Sequence, residues 1–286
     1  MTSNQALNKC KYKSSIQLYG GKVHIVSNSD EIISDISKIY FRTIVTPKRV
    51  NPHNVISVIR DKTITIYYND NLLYSNTNAS ESLLFLEWFI NSFFLEKLNH
   101  FFHIHAGAVS INDSGMIFPA TNEVGKSTFT LYLAQRGFNY YSDEIALIDL
   151  NVNKIFPFPK GISLIKKEYD TLSRQYGYND KNRFNVIRDS EKAYYHPELR
   201  EKDLVNGAPL KYIFFLKREK ETKKPLTACS KGEGLIALIK NSFNPLTDGE
   251  QSFNQLMNVI DNVEIFFLDV TNLEKAYKSI REVIHL

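Results

Sequence analysis

The sequence contains few of the residues that covalent or metal cross-links require. Only two of its 286 residues are cysteines, Cys10 and Cys229, and they lie far apart in the chain. Two cysteines exclude a disulfide framework and a cysteine-rich zinc site. We therefore expect a protein of a reducing compartment, for which the cytoplasm is the simplest assignment.

Long apolar runs and an excess of charge of one sign are also missing. The most apolar stretch, residues 83–102, is interrupted by polar side chains such as Glu87 and Lys97, which favours an amphipathic helix of a soluble protein over a membrane span. Residues 1–15 are polar and lack the apolar core of a signal peptide. The 35 basic and 31 acidic residues give a net charge of +4, too balanced for a nucleic-acid binder. We expect no membrane partner and no nucleic-acid partner.

What the chain does have is enough apolar sequence, 43%, for a sizeable core. Residues 1–99 are predicted to form a smaller β-rich region that ends in a long helix, opened near Asn78. The expected strands of this region are residues 16–19, 23–27, 55–60, 63–68 and 72–75. Residues 100–286 are predicted to mix strands (102–111, 116–119, 145–148, 155–156, 212–216, 263–268) with helices (129–135, 234–240, 251–260, 273–284). The predicted fold class is α/β (α+β).

Residues 167–208 are charged and aromatic without a clean periodicity. They are compatible with an ordered excursion or with a mobile substrate loop. Basic residues of this segment, Lys181, Arg183 and Arg188, are candidates for holding an acidic acceptor, although a run of charges is more often a solvated face.

The most informative segment is residues 120–128, which ends in Gly125-Lys126-Ser127-Thr128. It matches the closing half of a phosphate-binding loop, between a predicted strand and a predicted helix, as that motif requires. The loop would surround an anion with backbone N–H groups. Lys126 would reach the outer phosphates, and the Ser127 hydroxyl would coordinate Mg²⁺. The predicted nucleotide-binding residues are Ala120, Thr121, Asn122, Glu123, Val124, Gly125, Lys126, Ser127 and Thr128.

Two positions of this loop are unusual. Ala120 stands where glycine is the rule, which is tolerable only if its φ is negative. Glu123 would repel phosphates unless it points outward or meets the metal.

A pair of carboxylates follows at Asp143-Glu144, one helix and one strand after the loop. A nucleotide site needs carboxylates for Mg²⁺, and a kinase needs one beside the attacking hydroxyl. The alternative is an exposed acidic turn.

Two histidines, His103 and His105, share a face of a predicted strand. They would need a third ligand to hold Zn²⁺, and none is evident. Either one is packed and the other lies on the surface, or one faces the phosphates from the strand beside the loop.

The order of these motifs resembles the HPr kinase/phosphorylase superfamily. It comprises His105-Ala106-Gly107-Ala108-Val109, the phosphate loop, Arg136-Gly137, Ser142-Asp143-Glu144 and the Pro-Phe-Pro-Lys stretch at residues 157–160. The best match is the branch of HPr-kinase-related proteins found in bacterial peptide biosynthetic clusters. The resemblance covers about residues 100–166.

The resemblance implies a P-loop kinase core related to phosphoenolpyruvate carboxykinase in residues 100–286. It implies a Mg²⁺- and ATP-dependent kinase that phosphorylates a serine-type hydroxyl of a peptide or protein, such as a biosynthetic precursor peptide. By carry-over, Asp143 would accept the hydroxyl proton, and Ser127 and Glu144 would hold Mg²⁺. The roles of Asp143 and Glu144 are interchangeable, so Asp143 is also a candidate metal ligand. His105 would face the transferring phosphoryl group or the metal.

Departures from the family pattern keep alternatives open. Lys160-Gly161 replaces an Arg-Pro pair, so the candidate phosphate or substrate clamp is a lysine, which binds as a point charge. The glycine-arginine signature of true HPr kinases is missing near the C-terminal region, which argues against that enzyme proper. The alternatives are an inactive nucleotide-binding scaffold or regulatory module, a small-metabolite kinase, and a partner that binds peptides at a strand edge. GTP in place of ATP and a homo-oligomer are both compatible with the sequence.

Overall fold

The computed structural model describes residues 10–47, 50, 53–121, 123–178, 181, 183–184, 191–219, 224–243 and 249–286. The fold is mixed α/β, of the α+β kind, with strands gathered into three sheets in this part of the chain. The helices of the described residues are α1 (Asp30–Ile39), α2 (Ala79–Lys97), α3 (Lys126–Ala134), α4 (Lys166–Tyr176), α5 (Glu201–Asn206), α6 (Lys231–Lys240), α7 (Glu250–Asp261) and α8 (Leu273–Val283).

The first sheet has six strands, all from the N-terminal region. They are β1 (Tyr12–Leu18), β2 (Gly21–Ser27), β3 (Ile44–Val45), β4 (Val55–Arg60), β5 (Ile64–Tyr68) and β6 (Asn71–Asn76), in the order β3-β1-β2-β4-β5-β6. Only the β2–β4 pair is parallel among them, and α1 lies in the connection between these two strands. The β-branched residues of β4 and β5 favour the pleated backbone.

The second sheet has eight strands and carries the phosphate loop. They are β7 (Phe102–Ile111), β8 (Ser114–Pro119), β9 (Asn139–Ser142), β10 (Ile145–Asp149), β11 (Lys154–Phe156), β15 (Ala208–Lys217), β16 (Leu226–Ala228) and β17 (Glu264–Asp269). The order is β11-β10-β7-β8-β15-β17-β16, with β9 also on β7 and β11 also on β15. Strand β15 is parallel to both β8 and β17. A small third sheet contains β12 (Ile162–Ile165), β14 (Lys192–Tyr195) and β13 (Arg183–Phe184).

Helix α2 connects the two large sheets and is apolar on more than one face. One face buries Leu86, Ile90 and Phe94 against the first sheet. Ile145, Leu147 and Phe158 belong to the same hydrophobic cluster, so side chains from both sides of the predicted boundary at residue 99 share a core. The helix begins where the sequence predicts, because the Asn78 side chain accepts a hydrogen bond from Glu81 N.

Most predicted elements of residues 100–286 are present within a few residues of their expected ends. Helix α1 was not predicted, although its buried isoleucines at 32, 36 and 39 have helical spacing. The irregular-looking segment 167–208 contains α4, β13, β14 and α5. In it Arg183 Nη1 donates to Asp170 Oδ1 at 2.6 Å, whereas Arg188 lies outside the described residues. None of the helices in the described ranges combines the length and apolar composition that crossing a membrane needs.

Candidate functional site

The segment 120–125 links the end of β8 to the start of α3, which is the context expected of a phosphate-binding loop. Gly125 adopts φ +109°, in the left-handed region, and caps α3. The first hydrogen bond of the helix runs from Phe129 N to Gly125 O at 2.9 Å. The amides of Lys126, Ser127 and Thr128 therefore have no acceptor within the helix, and a helix start of this kind attracts anions.

The backbone accommodates one of the two unusual loop positions. Ala120 is buried and has a negative φ, so its Cβ causes no strain. Glu123 is exposed with φ +66°, a conformation that disfavours residues other than glycine, and it lines the same cavity as Lys126 and Ser127. Asn122, also predicted to bind nucleotide, lies outside the described residues.

The lysine of the loop is held over its own backbone. Lys126 Nζ donates to the carbonyl oxygens of Ala120 (2.8 Å) and Thr121 (2.9 Å). Burial lowers the pKa of Lys126, while the carboxylates of Glu144 and Asp143 act in the opposite direction. The ammonium group thus lies at the loop, within the electrostatic reach of both predicted catalytic carboxylates.

Arg218 is a second cation at the loop, and sequence reasoning missed it. Its Nε donates to Val124 O at 2.8 Å, and a Cβ built on Gly125 would lie 3.0 Å from its Nη2. Arg218 follows β15, which is parallel to β8. Because neighbouring parallel strands end at the same edge of a sheet, a basic residue just beyond the predicted strand 212–216 is a sequence signal for a phosphate contact.

Strand β7 brings α3 close to the sheet through a glycine. A Cβ built on Gly107 would lie 2.3 Å from Thr130 Oγ1, a distance that no real side chain tolerates. The predicted His-Ala-Gly-Ala-Val segment therefore includes one residue whose missing side chain lets the phosphate-loop helix pack directly on β7.

The carboxylate pair interrupts the pairing along one edge of β7. Strand β9 pairs with residues 108–110, and β10 pairs with residues 102–105. Asp143 and Glu144 fill the interval between them, where Ala106 N donates to Glu144 O at 3.0 Å. On its other edge Ala106 is paired with Pro119, the last residue before the loop. The carboxylates and the loop thus stand two strand spacings apart, about 10 Å.

Asp143 is buried, with 2% of its surface exposed. Its Oδ1 accepts from Tyr140 Oη and its Oδ2 from Ser163 N, both at 3.3 Å. Burial raises the pKa of Asp143 and Glu144 adds to this effect, while Lys160 and hydrogen bonds from the Ser127 hydroxyl and Ser163 amide oppose it. Ser127 and Asp143, both predicted site residues, line the same cavity.

Lys160 has partners that differ from the predicted phosphate or substrate clamp. It is buried, with Nζ 2.7 Å from Glu87 Oε1 and 2.9 Å from Glu144 Oε2. Burial alone would lower the pKa of Lys160, but the carboxylates of Glu144, Glu87 and Asp143 raise it well above its usual value. In turn Lys160 lowers the pKa of Glu144 to about 2, against the effect of burial. Both groups are ionised at neutral pH.

Glu87 of α2 is the other site residue that sequence reasoning missed. Its Oε2 accepts from Tyr194 Oη at 2.7 Å, so both carboxylate oxygens are engaged. Four residues further along the helix, Asn91 Oδ1 accepts from Tyr40 Oη at 2.7 Å. A buried Glu inside an apolar helical run is costly unless it is paired, and this is the signal that could have identified it.

The two histidines occupy different environments. His103 is buried, with Nε2 2.8 Å from Leu98 O. His105 is half-buried, packs edge-on against Phe243 with ring centroids 5.3 Å apart, and lines the same cavity as Lys126 and Ser127. One histidine is therefore packed in the core, and the other lies on the wall of the cavity.

The site residues converge on one cavity of about 1130 Å³. It is lined by the loop, the carboxylate pair, His105, Lys160, Arg218, Ser163 and one face of α2. Among the described residues, no three His, Cys, Asp or Glu side chains are grouped closely enough to hold a metal ion by themselves. Neither a protein-family model nor a curated protein matches this sequence.

Proposed function

We propose that this protein is a Mg²⁺- and ATP-dependent kinase that transfers the γ-phosphoryl group to a hydroxyl, most readily a serine, of a peptide or protein. The observation that carries the proposal is that Ser127, at the start of the phosphate-loop helix, and the buried carboxylate Asp143 line one cavity. A phosphate-binding loop and a carboxylate base in one cavity are the two parts that a hydroxyl kinase requires.

The loop supplies the nucleotide contacts in this proposal. The amides of residues 126–128 point their positive ends toward the phosphates. Lys126 leaves the carbonyls of Ala120 and Thr121 for the outer phosphates, and Arg218, beside Gly125, adds a second positive charge. Such clamps stabilise the charge that develops on the transferring group.

Asp143 acts as the base. Its pKa is raised by burial, and a general base is most effective when its pKa approaches the working pH. Lys160 keeps Glu144 ionised and holds it in place next to Asp143. His105 faces the transferring group from β7.

The donor set suits magnesium. Ser127 offers a hydroxyl oxygen and Glu144 a carboxylate oxygen, the ligand type that Mg²⁺ prefers, which leaves Asp143 to act as the base. Magnesium usually takes one or two protein carboxylates together with substrate phosphates and waters, so a complete cage of protein ligands is not needed. When bound, the ion would neutralise the phosphate oxygens.

We further propose that residues 100–286 form a P-loop kinase core of the HPr kinase and phosphoenolpyruvate carboxykinase type. The strand–loop–helix unit of β8 and α3, with the carboxylate pair on the neighbouring strands, supports this assignment.

The proposal is tested by phosphoryl transfer from γ-labelled ATP to pooled serine peptides, with wild type, Asp143→Asn and the exposed control Asp61→Asn. We expect Asp143→Asn to lower the transfer rate by about 10²–10⁴-fold and to keep its affinity for a Mg²⁺-bound ATP analogue, while the control behaves as wild type. Transfer that survives in Asp143→Asn would contradict the base assignment. Wild-type protein that binds nucleotide but labels no peptide would favour an inactive nucleotide-binding module.

A further inference from the structure

One side of the cavity is an apolar wall formed by α2. The residues that face the cavity, Leu84, Trp88, Asn91 and Leu95, recur at positions i, i+4, i+7 and i+11, which is one stripe of a helix. Trp88 is the only tryptophan of the chain and is 60% exposed, and Leu84 is 40% exposed. We call Leu84, Trp88 and Leu95 the apolar wall. Large apolar side chains held at a cavity surface are typical of ligand contacts.

Buried polar contacts anchor the helix that carries the wall. Glu87, the residue before Trp88, is fixed by Lys160 and Tyr194. Asn91, in the same stripe, is fixed by Tyr40. A site whose supporting side chains are locked by hydrogen bonds loses little entropy when a ligand binds.

The wall lies beyond the carboxylates as seen from the phosphate loop. From the end of β8, Ala106 of β7 is paired with Pro119 and donates to Glu144 O. Glu144 contacts Lys160, and Lys160 contacts Glu87 next to Trp88. In phosphoryl transfer the attacking and leaving oxygens stand roughly in line on opposite sides of the transferred group. With the nucleotide at the loop, the acceptor enters from the side of the wall.

The cavity extends beyond the phosphate loop. Its volume is about 1130 Å³, and its lining runs from Lys126 and Ser127 at the loop to Trp88 and Leu95 of α2. A nucleotide whose phosphates lie at the loop leaves the part of this lining along α2 for the acceptor.

We propose that the apolar wall is the acceptor subsite, and that it selects a peptide segment carrying a bulky apolar side chain close to the phosphorylated hydroxyl. This inference rests on the proposed kinase function and narrows its substrate class. Trp88 and Leu84 would cover the apolar side chain, while the hydroxyl reaches Asp143.

The test uses four pools of synthetic peptides, each with one serine and with the flanking positions fixed as Phe, Asp, Lys or Ala. Labelling from γ-labelled ATP is measured for wild type, Trp88→Ala, Leu84→Ala and Phe253→Ala, an exposed aromatic on α7 that does not line the cavity. We expect wild type and the control to label the Phe pool at least about tenfold faster than the Ala pool. Trp88→Ala and Leu84→Ala should reduce this preference about tenfold, the cost of truncating a central contact.

Other outcomes overturn the inference and spare the kinase assignment. One is equal labelling of all pools by wild type, and another is a preference for the Phe pool that persists in both wall variants. A third is a tenfold loss of ATP-analogue affinity in Trp88→Ala, and a fourth is a molecular mass that falls from dimer to monomer in that variant. The last two would assign the wall to the nucleotide base or to a second copy of the chain.

Failure of the kinase assignment is recognised separately. If no pool is labelled, the fluorescence of Trp88 is titrated with the Phe and Ala pools in the presence of the ATP analogue. A blue shift with the Phe pool alone supports a peptide subsite at the wall, and no shift with either pool overturns it.

Discussion

Glu87 Oε1 lies 2.7 Å from Lys160 Nζ, so a carboxylate of the N-terminal region holds a lysine beside the predicted catalytic pair. The bond joins α2 to the segment that precedes β12. The two regions of the chain therefore contribute to one site, although the sequence motifs that indicate this site all lie after residue 100.

The first prediction concerns this ion pair. Lys160→Met leaves Glu87 buried without its cation, and removal of one partner of a buried pair costs about 3–5 kcal/mol of unfolding free energy. Lys160→Met combined with Glu87→Gln should be destabilised by less than the sum of the two single variants, with a coupling of about 1–3 kcal/mol. Urea denaturation followed by circular dichroism measures these values.

The matched control is Lys97→Met on the surface of α2, the helix that carries Glu87. Lys97 lies 3.4 Å from Glu96, and both side chains are exposed, so this change should cost under about 1 kcal/mol. Equal stability of Lys160→Met and Lys97→Met would contradict the structural role of the buried pair.

The second prediction concerns the packing of α3 on β7. Gly107→Ala places a methyl group 2.3 Å from Thr130 Oγ1, and overpacking of this kind costs about 1–3 kcal/mol. The displaced helix should also bind the ATP analogue more weakly. Thermal unfolding and nucleotide titration measure the two effects.

Thr130→Ala provides a rescue variant for the same contact. The Thr130 hydroxyl is buried and has no hydrogen-bond partner among the described residues, and its Cβ lies 3.6 Å from the added methyl group. Gly107→Ala with Thr130→Ala should recover most of the lost stability and affinity. A double variant as weak as Gly107→Ala alone would show that another contact requires the glycine.

The third prediction concerns Arg218. If the Arg218 guanidinium holds both the loop and the phosphates, Arg218→Ala should lower the affinity for the ATP analogue about tenfold or more. Arg218→Lys should restore only part of this affinity, because lysine lacks the planar fork of donors. In both variants the affinity for ADP should fall less than the affinity for the ATP analogue. Equal losses for the two nucleotides would place Arg218 away from the outer phosphate.

The fourth prediction concerns the pH dependence of stability. The folded-state pKa of Asp143 is raised above 3.8, mainly by burial, so its ionised form destabilises the fold above that pKa. In metal-free protein, Asp143→Asn should therefore raise the melting temperature at pH 8. The gain should shrink as the pH falls and vanish below the ordinary carboxyl pKa of 3.8. A variant less stable than wild type at pH 8 would contradict this reasoning.

Much of the fold could be predicted from local sequence signals. Strand β4 is a buried run rich in β-branched residues, and α2 begins after Asn78 with a side-chain cap, so both elements are predictable from the sequence. Helix α1 is absent from the predicted elements, although its four isoleucines recur at helical spacing among charged residues. Strand pairing could not be predicted in the same way, since the closure of β11 onto β15 depends on residues more than fifty positions apart.

The candidate site was predictable where its residues lie near one another in sequence. Lys126, Ser127 and Asp143 belong to recognisable motifs, and the structure brings them to one cavity with His105 and Lys160. Glu87 and Arg218 belong to no motif, and they reach the site only through the packing of α2 and the parallel pairing of β15. The contact of Lys160 with Glu87 could not be predicted from the sequence, because it depends on the packing of α2.

The assignment of residues 120–128 as a nucleotide site is tested by isothermal titration with a non-hydrolysable ATP analogue, with and without Mg²⁺, for wild type, Lys126→Ala and the exposed control Lys62→Ala. We expect metal-dependent binding by wild type and by the control, and a loss of affinity of at least about 100-fold in Lys126→Ala. Absence of binding by wild type, or unchanged affinity in Lys126→Ala, would contradict the assignment of residues 120–128 as a nucleotide site.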